Sequence, residues 1–384
     1  MMKRILAIAL FFTQAATVCL GEDWMERLDD NAYLSQVSIP GTHDTATGEG
    51  WTGFLGELAG PSMGVTQDLS IAQQLDCGVR AFDLRPCVNE DELVINHGVL
   101  QTKAKFPETL KQLCQFVTDH PTEFVVVVMR HESDGDDNSS LWNNMMNSCL
   151  NSDDVRPFLA DYKRDITVGE LRGKVLILSR DKYANTPVGG FISGWAHQSN
   201  YATGTIKGAA GVTGTLYVQD FYEVMEYTSL KLKGIEKLLD FSTQNNVNKS
   251  TRHLVVCINC ASGYTASASS DGNRDNAVLC NKKIIDYLAD EKHAGPTGII
   301  FMDFAGTDIS ESYEVRGLEL VNAIINNNQR YVPVKKEDDT SVTPPVTTPS
   351  TSLPRHDLLG RKQSQHPRRP TVVIEEGRKA ITRP

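Results

Sequence analysis

The side chains best suited to chemistry in this 384-residue chain sit at the ends of short apolar runs. His43-Asp44 follows the strand-like run Ser35–Ile39 and the pair Pro40-Gly41. Proline and glycine there predict that the strand stops and a tight turn follows. Imidazole titrates nearest neutral pH, so it suits proton transfer, and a neighbouring carboxylate can orient the ring. A surface turn would hold the same dipeptide, so its meaning depends on what recurs. Arg85 follows Val79–Leu84, His97 follows Glu92–Ile95, Arg130 follows Phe124–Met129 and Arg180 follows Lys174–Leu178. Asp220 then follows Thr215–Gln219, and Asp303 follows Gly298–Met302.

Counting His253–Asn259, these runs make eight strands. The middle ones are continuous Val/Ile/Leu stretches, the pattern of strands buried on both faces. Helical periodicity fills 106–119, 141–150, 227–244 and 276–291. Strands alternating with amphipathic helices imply a mainly parallel sheet, and eight imply a (β/α)8 TIM-type barrel with its site at the C-terminal strand ends. The stretch from Arg85 to Glu92 is too short for a helix, so an irregular barrel is expected there.

Three motifs, Ile39-Pro40-Gly41-Thr42-His43-Asp44, Gly78 to Arg85 (GVRAFDLR) and Asn96-His97-Gly98, occur in that order. They are followed by Val128-Met129-Arg130-His131-Glu132, Leu176 to Arg180 (LILSR), Tyr217 to Tyr222 (YVQDFY) and Ile300-Phe301-Met302-Asp303. Together they resemble the X domain of bacterial-type phosphatidylinositol-specific phospholipase C, over roughly residues 35–305. The resemblance implies an α/β, irregular TIM-type barrel. It also implies cleavage in which the inositol 2-hydroxyl attacks the phosphodiester, giving diacylglycerol and inositol 1,2-cyclic phosphate.

On that resemblance His43 is the general base, oriented by Asp303, and His97 the general acid, partnered by Asp44. Such groups contribute about 10²–10⁴-fold each. Arg85 stands where a metal-dependent relative would need carboxylates. Because a guanidinium holds phosphate oxygens without an ion, the expectation is a metal-independent site with no cofactor. Inositol recognition falls to Arg130, Arg180, Asp220 and Tyr222, with Asp83 supporting Arg85 or the base. Arg130 replaces the lysine expected at its position. Arg80 and Glu132 read as buried pair-formers, and His120, His131, His197, His253 and His293 as surface or core residues. Two other readings stay open: an inositol-lipid binding protein without turnover, and a magnesium-dependent barrel phosphodiesterase of another type.

A lipid substrate needs an apolar rim. Trp51, Phe54, Leu55 and Leu58 lie in the Gly-rich stretch Gly48–Gly64, and Trp195 in a second one, Gly189–Trp195. Each could face a membrane or pack into the core. The expected partner is a membrane surface carrying phosphatidylinositol or GPI-anchored molecules, reached by a monomer. A net charge of −10 argues against nucleic acid.

Residues 1–21 have the charged start and short apolar centre of a secretory signal, so a secreted protein is expected, peripheral to membranes when acting. Cysteines 77, 87, 114, 149, 257, 260 and 280 follow it. Their odd number leaves at least one free, and Cys257-x-x-Cys260 fits buried thiols or a disulfide better than zinc. Asn138 and Asn248 begin glycosylation sequons. The domain expectation is one catalytic barrel over 22–332. Beyond it lies a disordered tail over 333–384, first Thr/Pro-rich and then basic.

Overall fold

Branched apolar runs set the frame. Val125–Met129 and Val175–Ser179 expose almost nothing on either face, so each must pair on both edges inside a covered sheet. The computed structural model describes residues 21, 23–136, 139–247 and 254–331, and farther on 371–375 and 378–382. In chain order the first elements are β1 (Ser38–Thr42), α1 (Gly53–Met63), α2 (Ile71–Asp76) and β2 (Ala81–Leu84). Next come β3 (Pro86–Asn89), β4 (Glu92–His97), β5 (Leu100–Lys105), α3 (Phe106–Asp119), β6 (Val125–Met129) and α4 (Ser139–Leu150). They are followed by β7 (Leu159–Ala160), α5 (Val168–Leu171), β8 (Val175–Ser179), β9 (Gly190–Ser193) and β10 (Ser199–Gly208). The last of this unit are β11 (Thr213–Asp220), α6 (Thr228–Asn245), β12 (Val255–Cys260), α7 (Ser270–Ala289), β13 (Gly298–Met302) and α8 (Gly317–Asn327).

The strand order β6-β2-β1-β13-β12-β11-β10-β9-β8 closes on itself through β6–β8 pairing. This nine-strand barrel is parallel except at β10, which runs antiparallel to β9 and β11. The expected irregular TIM-type barrel is the observed α/β fold, with one strand reassigned. Residues 92–95 belong to β4, which lies in a separate antiparallel sheet β3-β4-β5. The short link after Arg85 permits hairpins and no crossover helix. The ring is completed by β9 and β10, whose Gly- and Thr-rich sequences carry no apolar run to announce them.

Pro40-Gly41 does not stop the first strand, contrary to the sequence expectation; β1 pairs with β13 through Thr42. Pro40 directs its carbonyl to Arg80 N on the β2 side, so its missing N–H falls where β2 pairing has not yet begun. At Gly41 a Cβ would lie 2.9 Å from both Ala81 Cβ and Phe301 Cδ1, so only glycine lets the three strands close.

Helix α3 shows the packing rule for the outer layer. Phe106, Leu110, Leu113 and Val117 fall at spacings of four, three and four and are all buried against the barrel. At the barrel's N-terminal end the buried Arg80 binds Glu123 at 2.8 Å and donates to the carbonyl of Gly21 at 2.9 Å. Gly21, placed by the sequence at the end of the leader, is thus part of the packed unit. The seven cysteines among the described residues are free thiols, so the disulfide option is not taken by them. Cys257 and Cys260, three apart on one strand, leave opposite faces of β12. Burial pushes the Cys257 thiol up to about 12. None of the described helices is long and apolar enough to cross a membrane.

A second unit spans 337–384. Where the sequence reads as disordered, β14 (Thr371–Glu375) and β15 (Arg378–Thr382) form an antiparallel pair, favoured by their β-branched residues. The leader before residue 21, both sequons' asparagines, His253 and residues 332–370 lie outside the described residues.

Candidate active site

The C-terminal ends of β1, β2, β6, β8, β11 and β13 converge on one mouth, and β4 brings His97 to its rim. His43 directly follows β1, and its Nδ1 lies 2.9 Å from Asp303 Oδ1, just past β13. Asp303 is buried, and its other oxygen accepts from Gly263 N at 3.2 Å, which fixes the carboxylate plane. The carboxylate makes Nδ1 the protonated nitrogen, leaving Nε2 to face the cavity.

Asp44 sits at the centre. Its backbone takes the left-handed region at φ 41°, an uncommon conformation for a non-glycine residue that costs energy and often marks function. Its buried carboxylate lies 2.9 Å from Arg85 Nε, 3.2 Å from His43 Nε2 and 3.4 Å from His97 Nε2. The division expected from sequence, His43 with Asp303 and Asp44 with His97, is therefore incomplete. Asp44 serves both rings and Arg85 as well. Burial lowers the His43 proton affinity, but Asp44 and Asp303 outweigh it and hold the group above its ordinary value.

His97 is oriented from outside the barrel. Its Nδ1 lies 2.9 Å from the Gly64 carbonyl, which only accepts, so Nδ1 is the donor. A proton on the opposite nitrogen then makes the ring an imidazolium aimed at Asp44 and the cavity.

Arg85 donates to Asp83 Oδ2 through Nε at 3.1 Å and Nη2 at 2.9 Å, and its Nη1 lies 3.7 Å from Glu132. Burial alone would raise the Asp83 carboxyl, yet the Arg85, His43 and Arg180 charges bring it down to about 2. The same carboxylates hold Arg85 well above its ordinary range despite burial. His43, Asp44 and Asp83 could together ligate a metal ion by distance. The guanidinium already lies against both carboxylates, which places a fixed positive charge where such an ion would go.

Headgroup candidates line the same cavity, about 260 Å³, with Arg130, Arg180, Asp220 and Tyr222 along one wall. Arg130 donates to Glu132 at 2.5 Å, so Glu132 is a pair-former inside the site. Arg180 stacks on the Trp195 ring at 4.1 Å, and Trp195 Nε1 donates to Asp220 at 2.7 Å. All ten residues singled out from sequence are thus gathered at one mouth. Sequence reasoning read Glu132 as a buried pair-former without placing it in the cavity wall, and it missed Trp195's hydrogen bond and His197, which lines the cavity beside Arg180 and Tyr222. The motif residues flanking Glu132 were its available signal; His197 had none. A larger cavity of about 410 Å³, between β4 and α4, contains none of these residues.

The rim residues divide. Trp51 is buried against Gly60 and Gly64, whereas Phe54 is 80% exposed, Leu58 69% and Leu55 50% on α1.

An α/β barrel with a His/Asp/Arg centre at its C-terminal mouth is the class these features define. The sequence profile of the X domain of phosphatidylinositol-specific phospholipase C matches residues 37–181. A 1-phosphatidylinositol phosphodiesterase of Staphylococcus aureus (strain Newman) is 25% identical over 327 residues, covering 80% of this chain and 94% of that relative. One from Listeria monocytogenes is 30% identical over 164 residues, covering 42% of this chain and 49% of its own. Among solved structures, a phosphatidylinositol-specific phospholipase C mutant from S. aureus matches with a TM-score of 0.62 at 21% identity, covering 81% of this chain and 99% of its own. The Listeria enzyme's structure gives 0.59 at 21% identity, with the same two coverages. The chain thus resembles the bacterial phosphatidylinositol-specific phospholipases C over most of its length, and residues 37–181 match the X-domain profile.

Proposed function

We propose that this protein is a secreted phosphatidylinositol-specific phospholipase C that works without a metal ion. The observation that carries the reading is the placement of two imidazoles and one guanidinium around Asp44 within 3.4 Å. His43 Nε2 takes the proton of the inositol 2-hydroxyl as that oxygen bonds to phosphorus. Asp303 stabilises the imidazolium that forms. Arg85 holds a non-bridging phosphate oxygen, and its fixed charge opposes the build-up of negative charge. The phosphorus–glycerol oxygen bond breaks, and the departing oxygen takes the Nε2 proton of His97. Diacylglycerol and inositol 1,2-cyclic phosphate leave, and the proton inventory balances: His43 gains one and His97 loses one. Arg130, Arg180 and Asp220 present charged groups to the ring hydroxyls, and Tyr222 packs on the ring's apolar side.

The exposed residues of α1 suit contact with a lipid surface, the expected partner, which carries phosphatidylinositol or GPI-anchored molecules. The decisive experiment incubates the protein with phosphatidylinositol vesicles in excess chelator and follows phosphorus by NMR. A cyclic phosphate signal supports the reading. No turnover until magnesium or calcium is restored sinks its metal-independent part, and binding without turnover in any buffer points to the lipid-binding alternative.

A further inference from the structure

His197 reaches the headgroup wall from a loop that carries no family motif. The segment 194–198 is pinned to that wall at three points. Trp195 lies under the Arg180 guanidinium and donates to Asp220. Gln198, in the left-handed region at φ 52°, accepts from the backbone N–H of Tyr222 and of Glu223, both at 2.9 Å. Between them His197 holds Arg180 Nη2 against its ring face, 3.0 Å from Nε2 and 3.4 Å from Nδ1, with Nδ1 3.8 Å from Asp220 and the ring edge-on to Tyr222. The side chain is 48% exposed, so its position is set by these contacts and not by burial in a core.

A guanidinium nitrogen this close to both ring nitrogens rests on the ring face and not on the in-plane lone pair of either, so the contact is that of a cation on a ring. Such a contact is favourable only while the imidazole is neutral. We propose that His197 is a positioning residue for headgroup recognition, a neutral ring whose face aims the Arg180 guanidinium into the cavity. This rests on the activity proposed above. Among the described residues no carboxylate lies within ion-pair distance of Arg180, so the His197 and Trp195 rings are what orient it.

A pH dependence follows. Partial burial and the Arg180 charge lower the His197 proton affinity, Asp220 opposes them, and Arg130 and Arg85 add to the lowering. Protonation would set two cations 3.0 Å apart and turn the ring towards Asp220, withdrawing support from Arg180. Recognition therefore weakens on acidification while the His43 and His97 chemistry is untouched by this step.

The test measures KM and kcat on phosphatidylinositol vesicles, and Kd for glycerophosphoinositol by calorimetry, across pH. For His197→Ala, KM and Kd rise about five- to tenfold, the loss expected for one partly desolvated contact of a cation on a ring, with kcat little changed. His197→Phe supplies an uncharged ring face and restores both at neutral pH. It also removes the weakening that the wild type shows on acidification. Unchanged KM and Kd in His197→Ala, equal defects in the Ala and Phe variants, or a fall confined to kcat each overturn the assignment. A wild type that binds glycerophosphoinositol without cleaving lipid rejects the proposed activity, while the Kd series still decides the role of His197. A wild type that does neither rejects both.

Discussion

His43 and His97 lean on the same carboxylate oxygen: Asp44 Oδ2 is 3.2 Å from one Nε2 and 3.4 Å from the other. The second oxygen faces Arg85 Nε at 2.9 Å. A single buried anion thus neutralises three cationic or potentially cationic groups, and the strained φ of 41° brings it there. Without it, only Asp303 would oppose the effect of burial on the His43 proton. With it, the free protein favours a protonated His43, and substrate must displace that arrangement for the ring to act as base.

Asp44→Asn keeps the shape and removes the charge. We expect kcat to fall by about 10²–10⁴-fold, within the range for loss of acid–base function. Because the Asp44 charge raises the His43 proton affinity, the acidic limb of kcat/KM should move to lower pH. A pH–rate profile checks this, and a limb that stays in place would mean that Asp44 does not set the His43 proton affinity.

The same elevated affinity links to stability. A group that binds its proton more tightly folded than unfolded stabilises fully below its unfolded value, roughly 6.5 for His. That contribution disappears as pH rises through the folded value. His43→Asn should therefore lower Tm more at pH 5 than at pH 9. Calorimetry at the two pH values decides it, an equal loss at both counting against the ion pairing.

Much of the site was legible because each motif residue ends an apolar strand, and strand ends in a parallel barrel meet at one mouth. His43, Arg85, Arg130, Arg180, Asp220 and Asp303 could be placed by that rule alone. His97 could not: it ends β4, outside the barrel, and reaches the mouth through hairpin geometry that spacing does not encode. β9 and β10 were illegible for a different reason. Their stability comes from pairing with strong neighbours, so they need little hydrophobic patterning of their own. The shared use of Asp44 depends on a backbone conformation at one residue, which side-chain identity does not reveal.

Arg85 can be tested through its carboxylates. Arg85→Ala leaves Asp44, Asp83 and Glu132 buried without their shared cation, a change that costs about 3–5 kcal/mol when a buried pair is broken. It also opens the grouping of His43, Asp44 and Asp83 to a divalent ion. We expect a lower Tm that calcium partly restores in the variant, with no calcium effect on the wild type. Thermal shift titrations read both proteins, and calcium stabilising the wild type equally would contradict the view that Arg85 stands in for a metal.

Helix α1 presents Phe54, Leu55 and Leu58 to solvent and, at its C-terminal end, offers the Gly64 carbonyl to His97. Folding gains nothing from leaving large apolar side chains in water, and side chains of this size stabilise a contact by about 1.5–3 kcal/mol each when buried. Phe54 and Leu58, four apart, share a helical face, so one flat surface can cover both. Phe54→Ser combined with Leu58→Ser should weaken partition to phosphatidylinositol vesicles by at least roughly tenfold, since even partial insertion of two such groups exceeds 1.4 kcal/mol. Because neither side chain supports the core, circular dichroism and Tm should stay as in the wild type. Vesicle sedimentation gives the partition directly. A double variant that still partitions like the wild type would show that the lipid surface meets the barrel elsewhere, and the exposed face of α1 would need another partner.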